Sequence, residues 1–376
     1  MTPRVLHILG QLRTGGAEIR TLQLLRSLGD DARLHTIVTL AGVKGELAPQ
    51  FEELGVKVVP LRARSVSFFL RFFMLIRNDR FDTVHSHVDR SAGYLLPVAK
   101  LAGARTRICH FRSDTSPTGG ALDRFRRWVL ELGIRWAATN IVAVSPGTLE
   151  AAWGSHRPSA KCQVLHNGID VARYRDAVAA DLTADLGVAA GATVLLHIGN
   201  GGIRTKNRER AIRLLAGVRQ ERAGAVLIFV GRDGQDAASG VHNRQELRKL
   251  ATQNGVEDGV IFAGERGDIP ALLKASQCLL MTSTLEGVPG VVLEGLAAGM
   301  PVIATRLPGT VYIGREILGL TLVDASESDS SWVNAILAAI DNPQSGARIS
   351  AAVEGSPFNG ERSVHEYRTI WAGVTR

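Results

Sequence analysis

Short β-branched or aliphatic runs alternate with longer segments of helical period along these 376 residues, and the series is written twice. The first set is VLHIL (5–9), HTIVTL (35–40), VKVVPL (56–61), DTVHS (82–86), RTRICH (105–110) and NIVAVS (140–145). After a break at 175–192 it restarts with TVLLHIG (193–199), AVLIFVG (225–231), GVIFAG (259–264), QCLLMTS (277–283) and PVIAT (301–305). Such alternation predicts mostly parallel sheets wrapped by helices. Two series predict an α/β chain of two doubly wound, Rossmann-like domains. The joint is placed near VLHNGID (164–170), where Asn-Gly marks a tight turn and the following RYRDAVAADLTADLG has no strand character. The domains are set at 1–175 and 176–355, with 356–376 as a C-terminal helix packing back toward the first. In open α/β sheets ligands sit beyond the carboxyl ends of the strands, so two such sheets facing one another are expected to bound a cleft.

The 45% hydrophobic content is enough to fill two cores. Charge is uneven: residues 1–170 carry 23 Lys and Arg against 14 Asp and Glu, the remainder 21 against 22. A basic first half attracts an anionic substrate, a membrane surface or a nucleic acid, or is simply a solvated arginine-rich surface. No run of about 18 uninterrupted apolar residues occurs, and VLHIL lies too near the start for a signal peptide, so a cytoplasmic chain is expected. Cys109, Cys162 and Cys278 lie in apolar, strand-like surroundings without CxxC spacing, which points to buried reduced thiols.

The stretch EGVPGVVLE (286–294) spaces two carboxylates around a Gly/Pro turn. Proline at a first helical position loses no hydrogen bond, so a helix is expected to start at Pro289, with Glu286 in the loop and Glu294 in the second turn. Gly287 and Gly290 leave backbone N–H groups and the positive helix end, with Val288 between them, open to an anion such as a diphosphate. A carboxylate accepts from two neighbouring hydroxyls at once, so Glu294 suits a ribose diol and Glu286 faces the sugar side. Without other motifs, a capping Glu286 and a surface Glu294 would be the simpler reading.

Other glycine-bearing turns do occur. IGNGGIRTKNRERAI (198–212) opens a helix with a basic cluster, and Arg204 and Lys206 are the charges placed on phosphates. It is not a dinucleotide fingerprint, since Arg204 holds the third glycine position, and it lacks the GK[ST] of a P-loop. GQLRTGGAEIRTL (10–22) joins strand to helix through Gly15 and Gly16. His85 and His87 are read as alternating across a continuing strand, so that one of them can point into any given site, and no metal site is expected.

Together these residues resemble glycosyltransferase family 4, the retaining GT-B enzymes, over nearly the whole chain. The resemblance is carried by TGGAE, VHSHVDRSAGY (84–94), AVSPGT (143–148), NGID (167–170), the TKN loop, GERGDIP (264–270), and E-x7-E followed by AAGMPVIAT. VHSHV…GY followed by RICHFRSD also resembles the branch that makes bacterial exopolysaccharide and capsule sugars. The resemblance implies that Lys206, with Arg204, neutralises the donor diphosphate, that Glu294 holds the ribose, and that Glu286 and nearby amides, including those of Val288 and Pro289's neighbours, hold the transferred sugar. Arg266, Gly267 and Asp268 would meet the base through main-chain groups, and Gly15 and Gly16 would approach from the acceptor domain. Family members carry Gly-Arg ahead of the basic loop; here Gly199-Asn200 stands there, with Arg204 as the replacement charge. A family histidine near the reacting centre has two candidates, His110 and Arg112.

The implied reaction moves a sugar from a nucleoside-diphosphate donor, a UDP-sugar being favoured, to a hydroxyl of a glycan, lipid-linked or small-molecule acceptor, without metal or further cofactor. A non-enzymatic nucleotide-sugar binding module and a GT-B epimerase are the alternatives, and an NAD oxidoreductase is a distant fourth. The segment SVSFFLRFFMLIRNDR (65–80) is aromatic and basic. Burial of Phe68, Phe69, Phe72, Phe73 and Ile76 against the first sheet is the favoured reading, with peripheral contact to an anionic membrane as the alternative and no nucleic-acid partner.

Overall fold

A computed structural model describes residues 2–112, 120–153, 160–234 and 237–374. Ser113 and Asp114, at the end of the RICHFRSD motif, lie outside the described residues. The chain divides into two compact units, one of residues 1–168 with 360–376 and one of residues 169–359.

The first unit is built on a parallel sheet of β1 (Val5–Leu9), β2 (His35–Thr39), β3 (Lys57–Pro60), β4 (Thr83–Ser86), β5 (Thr106–Phe111), β6 (Asn140–Ala143) and β7 (Cys162–Val164). Their spatial order is β3-β2-β1-β4-β5-β6-β7. The order reverses between β1 and β4, which are registered Val5 to Thr83 and His7 to His85. Alternate residues of a strand point to opposite faces, and both faces are covered. Leu6, Ile8, Val84, Cys109 and Phe111 pack with the helices Phe68–Asp79, Ala92–Leu101 and Ala121–Ala137. Val5, Leu9, Ile37 and Ile108 pack on the other side, where the helix Gly360–Trp371 brings Tyr367, Ile370 and Trp371. Burying side chains of that size contributes roughly 1.5–3 kcal/mol each.

The second unit repeats the design with β8 (Val194–Ile198), β9 (Val226–Val230), β10 (Val260–Gly264), β11 (Cys278–Met281), β12 (Val302–Thr305) and β13 (Leu320–Val323), in the order β10-β9-β8-β11-β12-β13. Here the order reverses between β8 and β11. The crossing of the chain between units is pinned inside each one: Ile169 bridges Asn359 in the second, and the Gly168 N–H donates to Ser363 Oγ at 3.1 Å in the first. Adding a Cβ to Gly168 would put it 2.4 Å from Ser363 Cβ, so only glycine fits.

Three sequence expectations need correction. Within the helix Phe68–Asp79 the buried set is Phe68, Phe72 and Ile76, while Phe69 is exposed, because one helical face alone meets the sheet. The helix after β11 is Gly290–Ala297, with Pro289 as its extended N-cap (ψ 112°) and not its first residue. Cys109 and Cys278 are buried free thiols, but Cys162, on the edge strand β7, is half-buried.

Candidate functional site

Loops that leave β8 and β11 flank the point where strand order reverses in the second unit, the place where open α/β sheets bind ligands. They are tied to each other. Thr282, just past β11, donates from Oγ1 to the carbonyls of Lys206 (3.1 Å) and Asn207 (2.8 Å), and the Thr284 N–H donates to the Thr205 carbonyl at 2.7 Å. Asn207 takes a left-handed conformation (φ 50°) and caps the helix Arg208–Glu221. The stem of Lys206 lies over Gly199, where a Cβ would sit 3.1 Å from Lys206 Cδ.

Lys206 Nζ reaches Glu286 Oε1 at 2.5 Å, and Ser283 Oγ donates to the same oxygen at 2.9 Å. Both partners of the ion pair are about one-fifth exposed, so the ammonium stands at the mouth of the site with N–H groups to spare. The structure thus pairs the lysine that sequence reasoning set on the diphosphate with the carboxylate it set on the sugar side. Arg204 is exposed and is not brought to Glu286; it lines a hollow of about 550 Å³ with Glu209 and Glu246. Gly287 is pressed against the next helix, Pro308–Glu316: a Cβ on Gly309 would overlap the Gly287 carbonyl. Glu294 stands in the second turn of its helix, half-buried.

Asn200 accepts the Arg232 N–H on its Oδ1 at 3.0 Å, which ties the glycine-rich loop to the end of β9. Beyond β10, Arg266 grips Asp268 (2.8 and 2.6 Å) and Asp185 (2.6 Å). Those bonds, Asp268 first, hold the Arg266 guanidinium above its usual range and the Asp268 carboxyl below its own. The Arg266 side chain is therefore occupied, while the main chain at Gly267 is open, with nothing within 4 Å of a Cβ there.

Beneath the glycine-rich loop lies a residue the sequence did not single out. Arg208 is buried, donates to Asp233 Oδ1 at 2.7 Å and to the Gly199 carbonyl at 2.6 Å, and stacks over Phe229. Burial pulls its guanidinium below the usual arginine range, and Asp233 opposes that. The buried His197 beside it bonds Thr282 and is lowered to about 3 by burial and then by Arg208 and Lys206.

In the first unit five histidines from four neighbouring strands share one face. His85 and His87 are two residues apart, so they point the same way, with rings stacked at 4.0 Å, and the expectation that they alternate is wrong. Burial holds His7, His85, His87 and His110 well below the usual imidazole range and takes His35 to about 4. Neutral rings have one donor and one acceptor, so the hydrogen bonds assign the tautomers. Arg112 Nε donates to His87 Nδ1 at 3.1 Å; His87 then donates from Nε2 to His7 Nδ1 (3.0 Å), and His7 from Nε2 to His35 Nδ1 (2.9 Å). Trp371 Nε1 donates to His85 Nδ1 at 3.1 Å, and His85 donates from Nε2 to His110 Nδ1 at 3.1 Å. His110 is left with its proton on Nε2, an atom without a partner among the described residues.

Arg112 also binds the first turn of the helix after β1, through the Ala17 carbonyl (3.1 Å), and the turn after β4, through Asp89 Oδ1 (2.9 Å, from its N–H). Gly15 caps the helix Gly16–Arg26, and a Cβ there would meet Glu18 Oε2 at 2.6 Å. His110, Arg112, Gly15 and Gly16 therefore lie at the carboxyl end of the first sheet near its own reversal point. Among the described residues His7, His85 and His87 are the one group of three close enough to hold a cation. Doing so would break the His7–His87 bond next to the Arg112 guanidinium.

Two family models match the chain: "Glycosyltransferase Family 4" over residues 14–173 and "Glycosyl transferases group 1" over residues 181–354. The putative glycosyltransferase EpsF of Bacillus subtilis is 27% identical over 344 residues, 89% of this chain and 86% of its own. The capsular polysaccharide biosynthesis glycosyltransferase CapH of Staphylococcus aureus is 24% identical over 307 residues, 81% of each chain. Among solved structures, HepE of Anabaena in complex with UDP superposes with a TM-score of 0.82 at 20% identity, covering 98% of this chain and all of that one. The chain therefore belongs to the family 4 glycosyltransferases, with the GT-B fold.

Proposed function

We propose that the chain transfers a hexose from a UDP-sugar to a hydroxyl acceptor of a bacterial surface polysaccharide, with retention of the anomeric configuration and without a metal ion. The observation that carries this is the Lys206–Glu286 pair at the strand-order reversal of the second unit, beside the glycine turn at 287–290. A departing diphosphate develops charge as the glycosidic bond breaks, and a preset cation with backbone N–H groups stabilises it most at that stage. Glu286 orients the Lys206 ammonium, whose remaining N–H groups meet the phosphates. Glu294 takes the ribose diol and the main chain at Gly267 takes the base. HepE, which shares the fold, has been solved with UDP-glucose, and CapH and EpsF are named as glycosyltransferases, CapH for capsular polysaccharide. No enzyme nucleophile is assigned; the acceptor proton passes to the leaving phosphate on the same face.

The test is stabilisation by UDP together with transfer from UDP-sugars. Lys206→Ala and Glu294→Ala each lose a charge-assisted contact of about 1.5–3 kcal/mol, so each should bind UDP roughly ten- to a hundredfold more weakly. Wild-type affinity in both folded variants contradicts the assignment. Turnover that survives EDTA, with an axial or equatorial product matching the donor, supports the remaining parts; inversion or loss of turnover refutes them.

A further inference from the structure

The helix Ala121–Ala137 buries only Leu130, Ile134 and Ala137. Elsewhere along it large apolar side chains stay in water: Leu122 is 79% exposed, Phe125 60%, Trp128 56% and Trp136 53%. With Val129 and Leu132, positions 122, 125, 129, 132 and 136 recur at steps of three and four, which makes a single stripe along the helix. Arg124, Arg126 and Arg135 flank it, while Asp123, Arg127 and Glu131 lie off the stripe, toward the side of Leu130 and Ile134. On the same side of the sheet the helix Phe68–Asp79 also leaves Phe69, Leu70 and Met74 outside. Monomeric proteins rarely expose contiguous apolar surface of this kind without a partner for it.

Charge decides which partner fits. A second copy of the chain would set two arginine-bordered stripes against each other, like charge to like charge. An anionic bilayer offers phosphates at the level of the guanidinium groups and an acyl boundary at the level of Trp, Phe and Leu. At 1.5 Å per residue the helix covers roughly 25 Å, enough to lie in the interface, and no described helix is long and apolar enough to cross a membrane. We propose that the helix Ala121–Ala137 docks the first unit on an anionic lipid bilayer, its apolar stripe in the acyl boundary and its arginines on lipid phosphates. This goes beyond the glycosyl-transfer reading and does not depend on it.

The other tryptophans, Trp153, Trp332 and Trp371, are buried, so fluorescence quenching by brominated lipid reports on Trp128 and Trp136. The full chain should co-sediment with phosphatidylglycerol–phosphatidylcholine vesicles and be quenched there, and do neither with phosphatidylcholine alone. The double change Phe125→Ser and Trp128→Ser should weaken binding at least about tenfold, and Arg124→Glu with Arg135→Glu should do the same and abolish its salt sensitivity. UDP stabilisation, which reads the other unit, should be unchanged in both. Absence of binding by the natively folded wild type overturns the proposal, as does binding that leaves Trp128 and Trp136 unquenched. A concentration-dependent dimer broken by Phe125→Ser and Trp128→Ser, with no vesicle binding, also overturns it in favour of self-association.

Discussion

One arginine and one histidine show how much of each site rests on single atoms. Gly201 lies against Arg208: a Cβ there would be 2.6 Å from one guanidinium nitrogen and 3.1 Å from the Asp233 carbonyl. Because Arg208 is buried and held by Asp233, it has little room to yield. Gly201→Ala should cost about 1–3 kcal/mol of stability and weaken UDP binding, since the loop that carries Lys206 must shift. Equal melting points for variant and wild type would show that the loop is softer than its hydrogen bonds imply. His110 offers an N–H at Nε2, fixed by Trp371 through His85. His110 and Arg112 are the two candidates for a group near the reacting centre; if His110 is the one and donates from Nε2 to a substrate oxygen, His110→Gln, whose amide can donate from nearly the same place, should keep most turnover, while His110→Leu should lose roughly ten- to a hundredfold. Nitrogen NMR of the imidazoles should find His110 Nδ1 unprotonated, and Trp371→Phe should mix the tautomers; equal damage from both His110 variants would point to a base instead. None of this ladder follows from any one motif. Its trace in the sequence is a histidine in each of VLHIL, HTIVTL, VHSHV and RICH, and only the strand order, set by contacts far apart in the chain, makes those rings neighbours.

Elements with a clear apolar pattern were readable, and two short edge strands were not. The central strands announced themselves as apolar runs because both faces of a doubly wound sheet are covered. The edge strands β7 and β13, of three and four residues with much of their surface outside the cores, carry too little pattern to stand out. The same limit affected Pro289, whose role as cap or first residue turns on one ψ angle. Helix contacts were equally hidden. The helices Ala92–Leu101 and Ala121–Ala137 cross with backbones nearly touching: a Cβ on Gly133 would lie 2.1 Å from the Gly93 carbonyl, and one on Gly93 would lie 2.2 Å from the Leu130 carbonyl. Neither neighbour is a flexible side-chain end, so Gly133→Ala must separate the helices. It should lower the melting point by several degrees, with a cost above about 1 kcal/mol and helicity preserved. An unchanged melting point would mean that the crossing carries no packing energy.

At the scale of the molecule, the buried histidines make stability depend on acidity. His7, His35, His85, His87, His110 and His197 are all held below the usual range by burial. An unfolded chain takes up their protons near pH 6.5, the folded one only lower, at about 4 for His35 and about 3 for His197. Their contribution is fully present above about pH 6.5 and is lost as pH falls through that value toward the folded ones, at up to about 1.4 kcal/mol per pH unit for each group. Melting points should therefore drop steeply between about pH 7 and about pH 5, and a flat profile would contradict the burial of these rings. The two-unit plan itself was legible in the repeated alternation, because each series is long enough to close its own sheet. The place where the chain changes unit, after Gly168 and again before Gly360, was less so, since the contacts that decide it join residues almost two hundred positions apart.

That return of Gly360–Trp371 to the first unit bears on how the protein is made. During translation residues 1–168 leave the ribosome early, yet Tyr367 and Trp371, which cover the histidine face, arrive only after the whole second unit has emerged. The half synthesised first is thus the half completed last, and while it waits an unfinished apolar surface must be shielded by chaperones or tolerated by the cell.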